Sequence, residues 1–363
     1  MLLNDFRRAP AALRRSLLAA GERVLESGWY VLGDHVAAFE RAWAAHCGTR
    51  YAVGTGNGLD AIEIGVRTLQ LAPGDEIITT PMTAFASVLG IMRAGATPVL
   101  ADIDPSTGLL DPESAERCIG PRTRAVLLVH LYGQLRNIGR WEELCSRRGL
   151  LLLEDAAQAH GAEWSGRRAG GIGRWAAFSF YPTKNLGCFG DGGALCTNDT
   201  GSAELASQLR NYGQSDRYRH PVRGLNSRLD ELQAAFLQVL LEHLPEANAR
   251  RRAIAAHYQA SIASARVTAL APPESPSSHV YHLFVVCTDD RAALQAHLEK
   301  HGVQSLIHYP LCAHQQPPGA ALRRDPRGLR SSEAFARRCL SVPCHPYLTG
   351  EEVERVVSAL NTF

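Results

Sequence analysis

The 363-residue chain is long enough for two domains of ordinary size, which excludes a peptide-sized or disulfide-stapled fold. Hydrophobic residues at 45% and charged residues at 20% are ordinary globular values that exclude wholesale disorder. The 38 basic and 36 acidic side chains are spread along the chain and leave a net charge of +2, so no polybasic stripe for a nucleic acid is expected. Nine cysteines contain no Cys-x-x-Cys pair, which argues against a disulfide framework or a zinc ribbon. Charge arrives at Asp5, Arg7 and Arg8 before any apolar signal core, and the longest apolar runs are strand-sized. A protein of the reducing cytoplasm, with no membrane and no metal partner, is the expectation.

From about residue 50 short apolar runs alternate with helical periods, the pattern of crossover units around a mostly parallel sheet and hence of an α/β chain. Ala52-Val53 leads through Gly54-Thr55-Gly56-Asn57-Gly58 into a helix predicted from residue 59 to 69. Strands predicted at 76–80 and 98–101 flank a helix around 85–93. The run 124–130, a helix near 141–148 and the run 150–153 repeat the unit, and 177–180 and 194–197 supply further strands. After Arg228 a long amphipathic helix is predicted from 229 to 244, interrupted by Pro245 and resumed through residue 260. Apolar Leu283 to Cys287, a helix from Arg291 and a proline-rich stretch near Pro317-Pro318 read as a smaller α+β domain. The boundary falls near residue 245, dividing 1–245 from 246–363.

Of the 38 basic residues only Lys184 and Lys300 are lysine. Arginine serves wherever a fixed positive charge is wanted, whereas a desolvated lysine can lose its proton and attack a carbonyl. Lys300 ends an amphipathic helix before Gly302 and suits the helix dipole. Lys184, in Phe178-Ser179-Phe180-Tyr181-Pro182-Thr183-Lys184-Asn185-Leu186-Gly187, lies just past a predicted strand in a partly apolar loop. The glycine turn at 54–58 is either a tight turn or a cradle in which backbone N–H groups hold a phosphate. Leu150 to Asp155 ends a buried strand in acid, where Glu154-Asp155 either meets a cationic ligand group or caps a helix over 156–160. A phosphate anchor, a strand-end acid and an isolated lysine are together the protein contributions that a pyridoxal 5′-phosphate (PLP) site needs.

These segments resemble the DegT/DnrJ/EryC1/StrS family of PLP-dependent sugar aminotransferases, of the aspartate-aminotransferase fold (PLP fold type I), from about Gly28 to the C-terminus. The markers are residues 54–61, His130-Leu131-Tyr132-Gly133-Gln134, the run 154–162, the Lys184 segment, Arg210-Asn211-Tyr212-Gly213, residues 224–235 and Ile307-His308-Tyr309-Pro310. The resemblance implies a mostly parallel large domain with an N-terminal arm, binding PLP, and a small C-terminal domain. It implies that Lys184 forms the imine link to the cofactor, that Asp155 pairs with its pyridine nitrogen, and that Gln158 lies near its 3-oxygen. It further implies that Ser179 contacts the phosphate with Gly56 and Asn57, and that Phe85 stacks on the ring. Asn226 resembles a residue that reaches the phosphate from the other subunit of a homodimer. Nucleotide-sugar contacts fall on Tyr181, His308, Tyr309 and the partner's Arg217, with ordinary loop packing or a solvated charge as the alternatives. Glutamate is the implied amino donor. The segments look most like the branch acting at C3 of dTDP-linked 3-keto-6-deoxyhexoses, the 4-keto branch being the alternative. A related PLP-dependent dehydratase carries histidine where this chain has Lys184, and a sensor would need a DNA-reading module for which residues 1–30 are too short.

Overall fold

Because strands buried on both faces must be covered by helices, the alternating pattern resolves into helix layers on either side of one sheet. The computed structural model describes all 363 residues. Helices α1 (Ala11–Ser27) and α2 (Asp34–Cys47) precede β1 (Tyr51–Thr55) and α3 (Gly58–Thr68). The chain continues through β2 (Glu76–Thr79), α4 (Phe85–Arg93), β3 (Thr97–Leu100), α5 (Pro112–Cys118), β4 (Thr123–Val129), α6 (Ile138–Arg148) and β5 (Leu151–Asp155). A short hairpin of β6 (Glu163–Trp164) and β7 (Arg167–Arg168) leads to β8 (Trp175–Ser179), β9 (Gly193–Thr197) and α7 (Thr200–Leu209). The seven-stranded sheet has the order β1-β9-β8-β5-β4-β2-β3, and only β9 runs against its neighbours.

The two-residue period of the strands sorts their side chains into two cores. On β4, Val126 and Leu128 join Phe39, Trp43 and Phe178 on the α2 side, whereas Ala125 and Leu127 join Ile62, Ile64 and Trp175 on the α3 side. All nine cysteines are buried and unpaired. No helix is long and apolar enough to cross a membrane.

Helix α8 (Glu231–Ser261) then runs 31 residues through Pro245, correcting the predicted interruption. Pro245 is exposed, and the buried residues on both sides of it hold the helix together. Its first half packs Ala234, Leu237 and Leu244 into the large core, and its second half packs Ile254, Ala255 and Tyr258 into another. That second core is completed by β10 (Thr268–Ala269), β11 (Phe284–Cys287), α9 (Arg291–Lys300), β12 (Cys339–Val342) and α11 (Gly350–Asn361), with β10-β11-β12 a small antiparallel sheet, whereas α10 (Arg330–Arg338) packs Phe335 and Ala336 into a cluster with Leu131 and Tyr132. The segment after α9 returns to the large sheet, where Leu100 bridges Arg324 and the Ala313 N–H donates to the Pro81 carbonyl at 2.8 Å. At the other end of the chain, the Met1 amine donates to the Gly302 carbonyl at 2.6 Å and Arg8 pairs with Glu352 at 2.6 Å.

Candidate active site

Strand β5 ends in two acids, and strand alternation sends them to opposite faces. Glu154 is fully buried and accepts N–H groups from Gly170, Ile172 and Gly173 at 3.1, 3.0 and 2.9 Å. Burial pushes its pKa up, but the His130 ring at 3.0 Å and these N–H groups together hold it below the usual value. Glu154 therefore pins the loop before β8. Asp155 turns the other way, into a cavity of 450 Å³ at the carboxyl end of the parallel strands. Its Oδ2 accepts the Ser87 hydroxyl at 2.6 Å, Ser87 lies 2.8 Å from the Thr83 hydroxyl, and its Oδ1 accepts the Ala157 N–H at 3.2 Å. The alternative reading of a helix over 156–160 is not met, since these residues form turns.

Lys184 reaches the same cavity from the loop between β8 and β9. Burial lowers the pKa of its amine to about 8, against an upward pull from Asp155. At pH 7.5 roughly a quarter of such amines are neutral, compared with about one in a thousand for an ordinary lysine. The neighbouring Asn185 anchors the loop by donating to Asn248 Oδ1 on α8 at 2.8 Å and to the Val280 carbonyl at 2.9 Å.

At the start of α3 the Asn57 side chain caps the Asp60 N–H at 2.8 Å. The first-turn N–H groups of Gly58 and Leu59, which no intrahelical carbonyl can reach, belong to residues lining the cavity. A Cβ on Gly58 would meet the Ser179 Cβ at 2.7 Å, so only glycine lets this turn approach the end of β8. Ser179 lies in the same lining, with its Oγ accepting the Tyr181 N–H at 3.3 Å. Gly56 stands just behind, donating its N–H to the Ser227 hydroxyl at 3.0 Å.

Gln158 is held from both ends: Oε1 accepts the Tyr132 N–H at 2.6 Å, and Nε2 donates to the Tyr309 hydroxyl at 3.2 Å. Burial pushes the Tyr309 pKa up to about 12, and burial followed by the charge of Lys184 brings His308 down to about 4. The structure thus brings Asn57, Asp155, Gln158, Ser179, Tyr181 and Lys184 into one lining, with Tyr309 joined to it through Gln158. His308 sits beside Tyr309, with Nδ1 2.9 Å from the Ser341 hydroxyl. Phe85 is not brought in. It packs against Val88, Leu100, Ala313 and Leu329, and Thr83, Ala84 and Ala86 line the cavity at that turn. Arg217 and Asn226 are both exposed on the 211–228 segment and lie outside this lining, with the Arg217 guanidinium 5.1 Å from the Tyr218 ring centre.

Thr83 and Ser87 were missed in the sequence, where their only signal is a pair of hydroxyls four residues apart at a helix start. Lys184 is the only lysine or arginine in the lining.

A helix N-terminus for a phosphate, a buried carboxylate for a ring nitrogen and a desolvated amine fit PLP, and the glycine-permitted approach of α3 to Ser179 makes the cradle. Fold and site together define a PLP-dependent enzyme of fold type I. Residues 12–361 match the DegT/DnrJ/EryC1/StrS aminotransferase family. The chain is 45% identical over 356 residues to the dTDP-3-amino-3,4,6-trideoxy-alpha-D-glucose transaminase of Streptomyces venezuelae, covering 98% of this chain and 94% of that protein. It is 43% identical over 359 residues to the dTDP-3-amino-3,6-dideoxy-alpha-D-galactopyranose transaminase of Aneurinibacillus thermoaerophilus, covering 99% and 98%. The crystal structure of S. venezuelae DesV in complex with a ketimine intermediate superposes with a TM-score of 0.94 at 44% identity, covering 99% of this chain and 96% of that one. The chain belongs to the DegT/DnrJ/EryC1/StrS aminotransferase family.

Proposed function

We propose that the protein transfers an amino group from glutamate to C3 of a dTDP-linked 3-keto-6-deoxyhexose, acting as a cytoplasmic homodimer. The observation that carries the transaminase chemistry is the single cavity in which a lysine amine with a pKa near 8 faces Asp155 beside the α3 cradle. The position on the sugar is supported by the names of the two relatives, both dTDP-3-amino sugar transaminases.

PLP, when bound, supplies a carbonyl for imine formation and a ring that draws electrons from the reacting carbon. Lys184 would supply the nucleophilic amine, and its Nζ could afterwards hold the proton taken from the donor's α-carbon. Asp155, oriented by the Ser87 hydroxyl, holds a positive charge at the ring nitrogen. Gly58, Leu59 and Ser179 would hold the phosphate, with Gly56 and Asn57 shaping the turn. Gln158 lies toward the 3-oxygen. Tyr181, His308 and Tyr309 are assigned to the sugar nucleotide.

The dimer is supported by the lack of any arginine in the lining and by the exposure of Arg217 and Asn226, which are free to meet a partner's cavity. Exposed Leu18, Leu25, Trp29, Tyr30 and Phe189 supply apolar surface for such contact. The nine unpaired buried cysteines agree with a reducing compartment. A division into domains 1–245 and 246–363 is supported by the separate cores that the two halves of α8 enter.

The test is incubation of enzyme and glutamate with dTDP-3-keto- and dTDP-4-keto-6-deoxyglucose separately, followed by location of the new C–N bond by NMR. Amination of the 3-keto isomer is expected. Efficient amination of the 4-keto isomer alone would overturn the position while leaving the transaminase chemistry intact.

A further inference from the structure

The loop that carries Lys184 has space on both sides. Lys184 lines the cofactor cavity and also a second cavity of 320 Å³ between the N-terminal arm and α8, so side-chain packing alone does not fix the loop. What fixes it is a set of hydrogen bonds centred on Asn248. Among the buried residues of α8, Asn248 is the only side-chain amide, and it is 3% exposed in a helix for which asparagine is a poor former. A buried amide is costly unless its hydrogen bonds are made. Gly161, at φ +79°, makes room for it, since a Cβ there would lie 3.1 Å from Asn248 Nδ2.

Backbone carbonyls fix the direction of these bonds, because a carbonyl only accepts. Asn248 Nδ2 donates to the His160 carbonyl at 2.8 Å, which turns Asn248 Oδ1 toward Asn185. Asn185 Nδ2 donates its two hydrogens to that oxygen at 2.8 Å and to the Val280 carbonyl at 2.9 Å. Its Oδ1 is then left for His282, whose Nδ1 donates at 3.3 Å. At the other end the His160 ring donates from Nε2 to the Ser179 carbonyl at 3.0 Å. The loop is thereby gripped at Ser179 through His160 and at Asn185 directly, and Asn248 joins the two grips. We propose that Asn248 is a positioning residue for the reaction: through Asn185 and His160 it closes a hydrogen-bonded ring around the 179–185 loop and holds the Lys184 amine in its buried place. The proposal rests on Lys184 being the reactive amine. Around that amine the acids of the cofactor lining are Asp155 and Asp191, and Arg251 lines the second cavity. His160, His282 and His308 are neutral at pH 7, because burial first and the Lys184 charge second lower His160 to about 3, His308 to about 4 and His282 well below the usual histidine value. Water admitted by a loosened loop would therefore act on the amine itself and raise its pKa from about 8 toward the ordinary lysine value.

The test uses the chain's two lysines. Acetic anhydride acetylates neutral amines, so the pH dependence of acetylation at Lys184 in the cofactor-free protein, followed by mass spectrometry with exposed Lys300 as internal reference, reads the midpoint at which the Lys184 amine loses its proton. In the unsubstituted protein that midpoint is expected at about 8. Asn248→Ala and Asn185→Ala should each move it to about 9, which lowers the neutral fraction at pH 7.5 about eightfold. The double variant should move it no further, because both side chains belong to one ring. Looser packing by itself would change the rate at every pH and leave the midpoint in place. Asn185 is half-buried on a loop, so Asn185→Ala decides alone should Asn248→Ala not fold. A midpoint that stays near 8 in the folded variants would overturn the proposal while leaving Lys184 as the reactive amine. So would displacements that add in the double variant, which would make the two contacts independent. A midpoint at the ordinary lysine value of about 10.4 in the unsubstituted protein would overturn the reading of Lys184, and the proposal with it.

Discussion

The cofactor cavity and the exposed 211–228 segment, which lies outside its lining, are two unlike sides of the molecule. On the closed side polar groups are positioned by the chain itself: Asp155 by Ser87 and the Ala157 N–H, Gln158 by Tyr132 and Tyr309, and the Lys184 loop by Asn185, which donates to Asn248 on α8. On the other side the 211–228 segment presents Arg217, Tyr218 and Asn226 to solvent, with Tyr218 79% exposed. The closed side is rigid and suits chemistry that needs fixed geometry. The open side carries the charge that a sugar nucleotide requires but lacks a cavity of its own. In the proposed function the chemistry rests on groups within one chain, and recognition of the sugar nucleotide draws on a second surface.

Lys184→Ala strikes the closed side hardest. It should cut turnover by at least about 10⁴-fold, measured at saturating glutamate and keto-sugar, with circular dichroism unchanged. Turnover near that of the wild type would break the assignment. Mixed dimers test whether the open side serves a partner. If Asn226 acts across a two-fold axis, combining Lys184→Ala and Asn226→Ala subunits yields one site with both lesions and one with neither, so activity should reappear from two inactive parents. No recovery in proven heterodimers would place the contact within one chain. Gly58→Ala would put a Cβ 2.7 Å from the Ser179 Cβ, forcing α3 away from the strand end. PLP affinity, followed by absorbance titration, should fall about 100-fold, the cost of displacing a positioned group by about 1 Å.

The pH dependence sharpens the contrast further. A lysine pKa of about 8 means that the reactive neutral amine is depleted below pH 8. The rate of PLP uptake by the apoprotein should rise about tenfold per pH unit up to 8 and level off above it, whereas an ordinary lysine would keep gaining to about 10.4. In stability the sign is the same. Between pH 8 and that unfolded value the unfolded chain binds the proton that the folded chain has shed, so this site favours folding more as pH rises through that window. Arg217→Ala is the mildest change. It should raise KM for the sugar nucleotide about tenfold with kcat nearly unchanged, since an anchor on the pyrophosphate binds ground state and transition state alike.

Much of this site was legible because its signals are local. A lone lysine in an arginine-rich chain, an acid closing an apolar strand and a glycine turn before a helix each announce a chemistry within a few residues. Phe85 shows the limit. Its resemblance to a stacking aromatic is a property of the motif, but the turn into α4 directs it toward Ala313 and Leu329, more than 200 residues away in sequence, and leaves Ala84 and Ala86 at the cavity. The hydroxyl relay from Thr83 through Ser87 to Asp155 was equally hidden, because it joins two segments that meet only when β5 and α4 are packed.

By itself the sequence determined the α/β layering, the identity of the amine and the acid, and the run of glycines that permits an anion cradle. These follow from residue type and from periods of two or 3.6 residues, which act over short stretches of chain. Only the tertiary structure decided that Asp155 faces the cavity while Glu154 pins a loop, that α8 continues through Pro245, and that Arg251 is buried against backbone carbonyls. Each of these depends on which distant surface a residue is packed against, and a one-dimensional pattern carries no record of that surface.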